Sequence, residues 1–152
     1  MVNESSHERV IETIARTCLV VRLRSINRVV TRIYDNALRP LRLKASQLNI
    51  LIVTARLGLA RPARVCEILQ LDTSTLSRNV ERMRGRGWLE VVREADGRLQ
   101  PFRLTAKGER LIEKAVPAWE EAQRRAVDLL GKEGIAVLDR AASRLRDREI
   151  DE

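Results

Sequence analysis

Apolar residues recur along most of this chain at spacings of three and four, the signature of helices with one buried face. Leu19, Leu23, Ile26, Val30, Ile33 and Ala37 form a near-heptad seam, and Ile11, Ile14, Cys18 and Val21 begin a second stripe. Together they predict one long helix over about 9–38, ended by Pro40. Ser46 is placed to cap the next helix, which carries Leu48, Leu51, Ile52 and Ala55 and closes at Gly58. Pro62 starts a short helix over 63–69, with Arg61 in the place where a capping residue is usual. Asp72 and Thr73 then announce a further helix whose apolar face is Leu76, Val80 and Met83, ended by Gly85 and Gly87. Leu111, Ala115, Trp119, Ala122, Ala126 and Leu130 line a helix over about 107–130 that Pro117 should kink or split. Gly131 and Gly134 punctuate, and Ile135, Leu138, Ala142 and Leu145 make a last helix over 135–145.

One stretch departs from the helical period. Residues 88–93 are β-rich and partly alternating, Ala95-Asp96-Gly97-Arg98 is a turn signal, and 102–105 can return as a second strand. The fold class is therefore mainly α with a small β-hairpin, a helix-turn-helix followed by a wing.

The helix that precedes the hairpin is chemically distinctive. Ser74, Thr75, Ser77, Arg78, Asn79 and Arg82 fall off its apolar stripe. Short hydrogen-bonding side chains and guanidinium groups are the types that read base edges and hold phosphates, although such a face also serves simply to meet solvent. Arg78 suits a guanine edge and Asn79 an adenine edge, Arg82 and Arg84 suit phosphates, and Arg98 at the hairpin tip suits a minor groove.

Charge supports that assignment. The 152 residues carry a formal net charge of +8, and only 3% are aromatic. Residues 1–55 and 56–107 each carry +5 and residues 108–152 carry −2, so a polyanion should meet the first two thirds of the chain. The amino terminus lacks a basic stretch followed by an apolar core, and the longest apolar run, 48–55, is too short to span a bilayer, so no membrane association and a cytoplasmic location are expected. Cys18 and Cys66 stand far apart and His7 is the lone imidazole, which gives no metal or disulfide framework. No paired carboxylates, phosphate-binding loop or nucleophile–base set stands out, so neither an enzyme nor a cofactor is expected. A winged helix that binds protein rather than DNA is the alternative.

Four motifs in order, D-x-S-T-L-S-R (72–78), G-x-G-W-L (85–89), D-G-R (96–98) and L-T-x-x-G (104–108), resemble the MarR family of bacterial transcriptional regulators over roughly residues 16–145. The resemblance implies a single domain over 1–152, with dimerisation helices at 9–39 and 107–146 around a winged helix-turn-helix lobe at 45–106. It implies a homodimer on a pseudo-palindromic double-stranded DNA operator, more often as a repressor. It places the family's wing pair on Asp96 and Arg98. It also implies release by a small phenolic or other aromatic effector at the junction of long helices and head, or by thiol oxidation. Cys18 lies where the family's organic-peroxide sensors keep a reactive cysteine, with Tyr34 near their partner tyrosine and Arg22 placed to steady a thiolate. Packing as a small apolar residue is the other reading of Cys18.

Overall fold

The structure is a computed structural model that describes residues 4–93 and 100–148. Among the described residues, six α-helices and one antiparallel strand pair follow the order α1 (Glu4–Thr17), α2 (Leu19–Leu38), α3 (Ala45–Leu57), α4 (Pro62–Leu69), α5 (Thr73–Gly85), β1 (Leu89–Val91), β2 (Phe102–Leu104) and α6 (Ala106–Arg148). The winged-helix class is as the sequence predicts. The hairpin turn, including Asp96 and Arg98, lies outside the described residues.

The head holds most of the core. Leu43, Leu48, Ile50, Leu51, Ala60, Val65, Leu76, Met83, Trp88, Leu89 and Phe102 are buried together, joined by Leu38 from the end of α2 and Ala115 from α6. Val65 anchors α4, and Leu76 and Met83 anchor α5. The strands pair Leu89 with Leu104, Glu90 with Arg103 and Val91 with Phe102. Glu90 and Arg103, opposite one another on the exposed side, also form an ion pair. Ala60 adds a third edge that the sequence pattern does not announce: its N–H donates to Phe102 O at 2.8 Å and its carbonyl accepts from Phe102 N at 3.0 Å.

Four details differ from the sequence expectation. The first long helix is two helices, because Cys18 takes an extended conformation at φ −62° and ψ 113°. Thr13 and Thr17 donate their hydroxyls to the carbonyls four residues back, Arg9 O and Thr13 O, each at 2.7 Å. Such back-bonding competes with the helix ladder and bends it. The carbonyl of Arg16 then accepts from the Arg22 guanidinium across the break.

Ser46 does not cap α3. Lys44 is the N-cap residue, and the free amides at the helix start go to one side chain of α2 and one of α3 itself. Ala45 N–H donates to Asp35 Oδ1 at 2.8 Å and Lys44 N–H to Gln47 Oε1 at 3.2 Å. The last helix runs through Pro117 with helical torsions, where the sequence predicts a kink or split, and turns only at Gly131, as the sequence also predicts, with a φ of 68° that disfavours any side chain. Finally, β1 is shorter than the 88–93 stretch suggests, since Trp88 precedes it and turns inward to the core.

The long helices stay largely outside that core. Leu19, Val20, Val21, Leu23, Ile26 and Val29 on α2 are exposed, Leu19 at 68%, and so are Leu129, Val137, Leu138 and Leu145 on α6. Among the described residues, no helix is long and apolar enough to cross a membrane.

Candidate nucleic-acid interface

Helix α5 begins with a tightly bonded cap. Asp72 is extended at φ −72° and ψ 150°, and its carboxylate accepts from Thr75 N at 2.7 Å, Thr75 Oγ1 at 2.7 Å and Ser74 Oγ at 2.5 Å. The hydroxyl of Ser74, then the two donors of Thr75, and the charge of Arg78 hold this carboxyl well below the usual carboxylate range. The carboxyl is exposed, and water and these donors both favour its ionised form.

From that start the helix presents its polar arc. Ser74, Ser77, Arg78 and Arg82 are exposed, and Ser74, Arg78 and Arg82 fall four residues apart, in one row along the cylinder. Arg78 Nη2 donates to Thr75 Oγ1 at 3.2 Å, which draws the guanidinium toward the N-terminal turn. Asn79 is half-buried and its Nδ2 donates to Thr75 O at 3.0 Å, so its amide is turned back along its own helix. Arg84 pairs with Glu81 at 2.8 Å. That pair is exposed and weak, yet it neutralises one of the cations predicted for phosphate contact.

The structure thus gathers Ser74, Ser77, Arg78 and Arg82 on one exposed face with the half-buried Thr75 beside them, and sets Asn79 and Arg84 against internal partners. The wing residues Asp96 and Arg98 lie outside the described residues.

A second basic cluster at the far end of α5 is not evident from the motifs. Arg86 lies 4.8 Å from the centroid of the Trp88 ring and donates to Arg42 O, while Lys107 Nζ donates to Arg86 O at 2.7 Å. Arg42 itself adopts a left-handed φ of 53°. These three cations come from the turn before α3, the end of α5 and the start of α6. Only the folded chain brings them together, though the GRGW sequence does place Arg86 two residues before an indole.

The effector candidates also have places. A cavity of about 320 Å³ lies between α3 and α6, lined by Leu48, Asn49, Ile52, Ile112, Ala115, Val116 and Trp119. Trp119, Val116 and Ile52 keep part of their surface in solvent. Tyr34 is half-buried on α2 and donates its hydroxyl to Gln123 Oε1 on α6, and burial pushes its pKa up. Cys18 sits at the α1–α2 break, sixteen residues before Tyr34, roughly 24 Å along a helix. Within one chain the thiol and the phenol are therefore not brought together, and Arg22 is turned to the Arg16 carbonyl. Cys66 is half-buried against the core of the head.

Comparison with known proteins agrees with this geometry. Residues 43–99 match the MarR family model. No curated protein matches the sequence. Among solved structures, a cysteine-to-serine mutant of E. coli MarR complexed with operator DNA aligns with a TM-score of 0.75 at 20% identity, over 87% of this chain and 96% of that one. Bordetella bronchiseptica BpsR, whose DNA binding is regulated by 6-hydroxynicotinic acid, aligns with a TM-score of 0.76 at 21% identity, over 86% and 95%. A probable transcriptional regulator from Pseudomonas aeruginosa aligns with a TM-score of 0.75 at 22% identity, over 86% and 98%. Residues 43–99 are thus similar to the MarR family, and the chain as a whole has the winged-helix fold of these structures.

Proposed function

We propose that this protein is a sequence-specific double-stranded-DNA-binding transcriptional regulator, a repressor rather than an enzyme, acting as a homodimer in the cytoplasm. The observation that carries the reading is the exposed face of α5, where Ser74, Ser77, Arg78 and Arg82 stand together with the half-buried Thr75 beside a hairpin wing. That arrangement occurs in a head similar to the MarR family, and a structural relative of the chain is bound to operator DNA. Each α5 enters a major groove, Arg78 and the small hydroxyls face base edges, and Arg82 and Arg84 face phosphates. Asn79 reaches adenine only after releasing Thr75 O. Asp96 and Arg98 complete the wing in the minor groove.

Residues 9–39 and 107–146 supply the dimer contacts and residues 45–106 the DNA-binding lobe. The exposed apolar rows of α2 and α6 support this, since an apolar face of that length calls for a partner. A two-fold dimer sets two recognition helices about 34 Å apart over a pseudo-palindrome.

For release, a small phenolic or other aromatic molecule in the α3–α6 cavity is the reading the geometry favours over thiol oxidation at Cys18. The cavity joins the head to a long helix, so a ligand with different affinities for two head positions shifts their populations. A structural relative whose DNA binding is regulated by an aromatic acid supports it.

The test is binding of the purified protein to DNA from its own promoter, with and without organic hydroperoxide, beside Cys18→Ser. Specific binding that ignores oxidant fits the aromatic-effector reading. Binding lost on oxidation only when Cys18 is present would move the switch to the thiol. Absence of specific DNA binding would leave a protein-interaction module instead.

A further inference from the structure

The donors at the start of α5 are already committed. Ser74 Oγ and Thr75 Oγ1 each have a single hydrogen, and both face the Asp72 carboxylate, at 2.5 Å from Oδ1 and 2.7 Å from Oδ2. A carboxylate has no hydrogen to give, so both hydroxyls donate to it and present only lone pairs elsewhere. Arg78 Nη2 occupies one lone pair of Thr75 at 3.2 Å. The Thr75 N–H, one of the free amides that make a helix start attractive to phosphate, is also taken by Asp72. Water is free to reach this turn, but the three hydrogen bonds keep the carboxyl ionised, so the arrangement does not relax by protonation near neutral pH.

We propose that Asp72 is a positioning residue for base selection: it holds Ser74 and Thr75 as hydrogen-bond acceptors, so that the start of α5 selects a base edge bearing an exocyclic amino group. In the major groove the amino groups are adenine N6 and cytosine N4, whereas guanine O6 and thymine O4 are acceptors that two fixed lone-pair donors repel. The inference rests on the DNA-reading head proposed above. It adds a residue that does not itself touch a base and gives the two hydroxyls a fixed polarity.

Capping alone makes a different prediction. Asparagine caps a helix about as well as aspartate, so Asp72→Asn keeps α5. Its oxygen retains the Thr75 amide, but its Nδ2 stands where Oδ2 met the Thr75 hydroxyl. Nδ2 donates, and the Thr75 hydrogen turns outward. Polarity at one residue is thus reversed with little change in shape.

The experiment uses the full chain and a synthetic duplex library with a randomised core, selected with the wild type, with Asp72→Asn and with the double variant Ser74→Ala, Thr75→Ala. The best wild-type duplex is then remade with single adenines replaced by purine, which lacks the N6 amino group, and single cytosines by the analogue without N4. The expected result is one pair per half-site where the analogue weakens wild-type binding roughly three- to tenfold. The double variant loses less than about twofold at the same pair, and Asp72→Asn selects guanine or thymine edges there, with a thermal midpoint close to wild type. Should Asp72→Asn fold poorly, Asp72→Ser, which also caps a helix but removes the carboxylate acceptor, takes its place, with loss of the amino-edge preference as the expected result. A sequence-specific wild type whose Asp72→Asn form keeps the same preference and penalty would overturn the inference and leave the DNA-reading head standing. A wild type that enriches no sequence would remove both.

Discussion

Gly108 on α6 lies against the carbonyl of Trp88, so closely that a Cβ at position 108 would stand 2.2 Å from that oxygen and 3.0 Å from the Leu104 side chain. Thr105 fixes the approach. Its hydroxyl donates to Gly87 O at 2.6 Å and accepts from Gly108 N–H at 3.1 Å, and its own N–H donates to Trp88 O at 3.1 Å. The L-T-x-x-G motif is therefore a joint: the threonine caps α6, and the glycine lets the helix cross the entrance to the wing. Gly108→Ala should cost about 3 kcal/mol, because backbone rather than a flexible side chain must move. For a chain of this size that is a fall of roughly 6–12 °C in Tm by calorimetry. An unchanged Tm would mean that α6 leaves the hairpin by a different route.

How far this joint and the head were legible in advance follows from the range of the forces. Pro62 and Asp72 act on the turn they begin, so the starts of α4 and α5 could be read from spacing alone. The cap of α3 could not, because its amide partner Asp35 lies ten residues earlier on another helix. Ala60 pairs through a single residue and leaves no alternation to detect. The break at Cys18 has neither glycine nor proline to mark it, since two threonine hydroxyls act through the backbone. In the interface, residue types named the face, but the internal bonds of Asn79 and Arg84 depend on rotamers that spacing does not specify.

Those internal bonds divide the arginines into two classes with different salt signatures. Arg82 is exposed on the row that carries Ser74 and Arg78, whereas Arg84 is paired with Glu81. In a dimer, Arg82→Ala removes two phosphate contacts, and the slope of log K against log salt should shrink by roughly 2. Arg84→Ala should change it by less, because the cation is already half-neutralised. Arg78→Ala should instead cost about 1–3 kcal/mol per half-site and broaden the selected sequence while leaving the slope nearly intact. Equal slopes for wild type and Arg82→Ala, measured by fluorescence anisotropy across salt, would take Arg82 off the phosphates.

Trp119 gives the α3–α6 cavity a built-in reporter. It lines the cavity and is partly exposed, while the other indole, Trp88, is buried under Arg86 in the head. Binding of a phenolic or aromatic acid there should alter the emission of Trp119. Trp119→Phe should abolish the spectral response and retain DNA binding in the absence of ligand. Because the described lining residues are mostly apolar, affinities are expected to be set by ring area at about 25 cal/mol per Å² buried. A full response in Trp119→Phe would place the effector elsewhere.

The exposed seam of α2 makes the last prediction quantitative. Leu19, Leu23 and Ile26 lie on one side of α2, and all three are exposed in the single chain. Burying a leucine or isoleucine completely is worth about 1.5–3 kcal/mol, and a two-fold contact counts each residue twice. Three such positions, already partly covered in the single chain, therefore gain roughly 5–10 kcal/mol before the cost of association. Placing a carboxylate on that seam reverses the sign, because a charge enters a dry contact without a partner. Leu23→Glu with Ile26→Glu should sediment as a monomer and lose most of its operator affinity, since one head then makes half the contacts. The head should still fold, because its core draws on Leu38 and residues after it. Retained near-ultraviolet dichroism with halved mass is the expected outcome. A double variant that remains dimeric would place the contact on α6, around Leu129 and Leu145, instead.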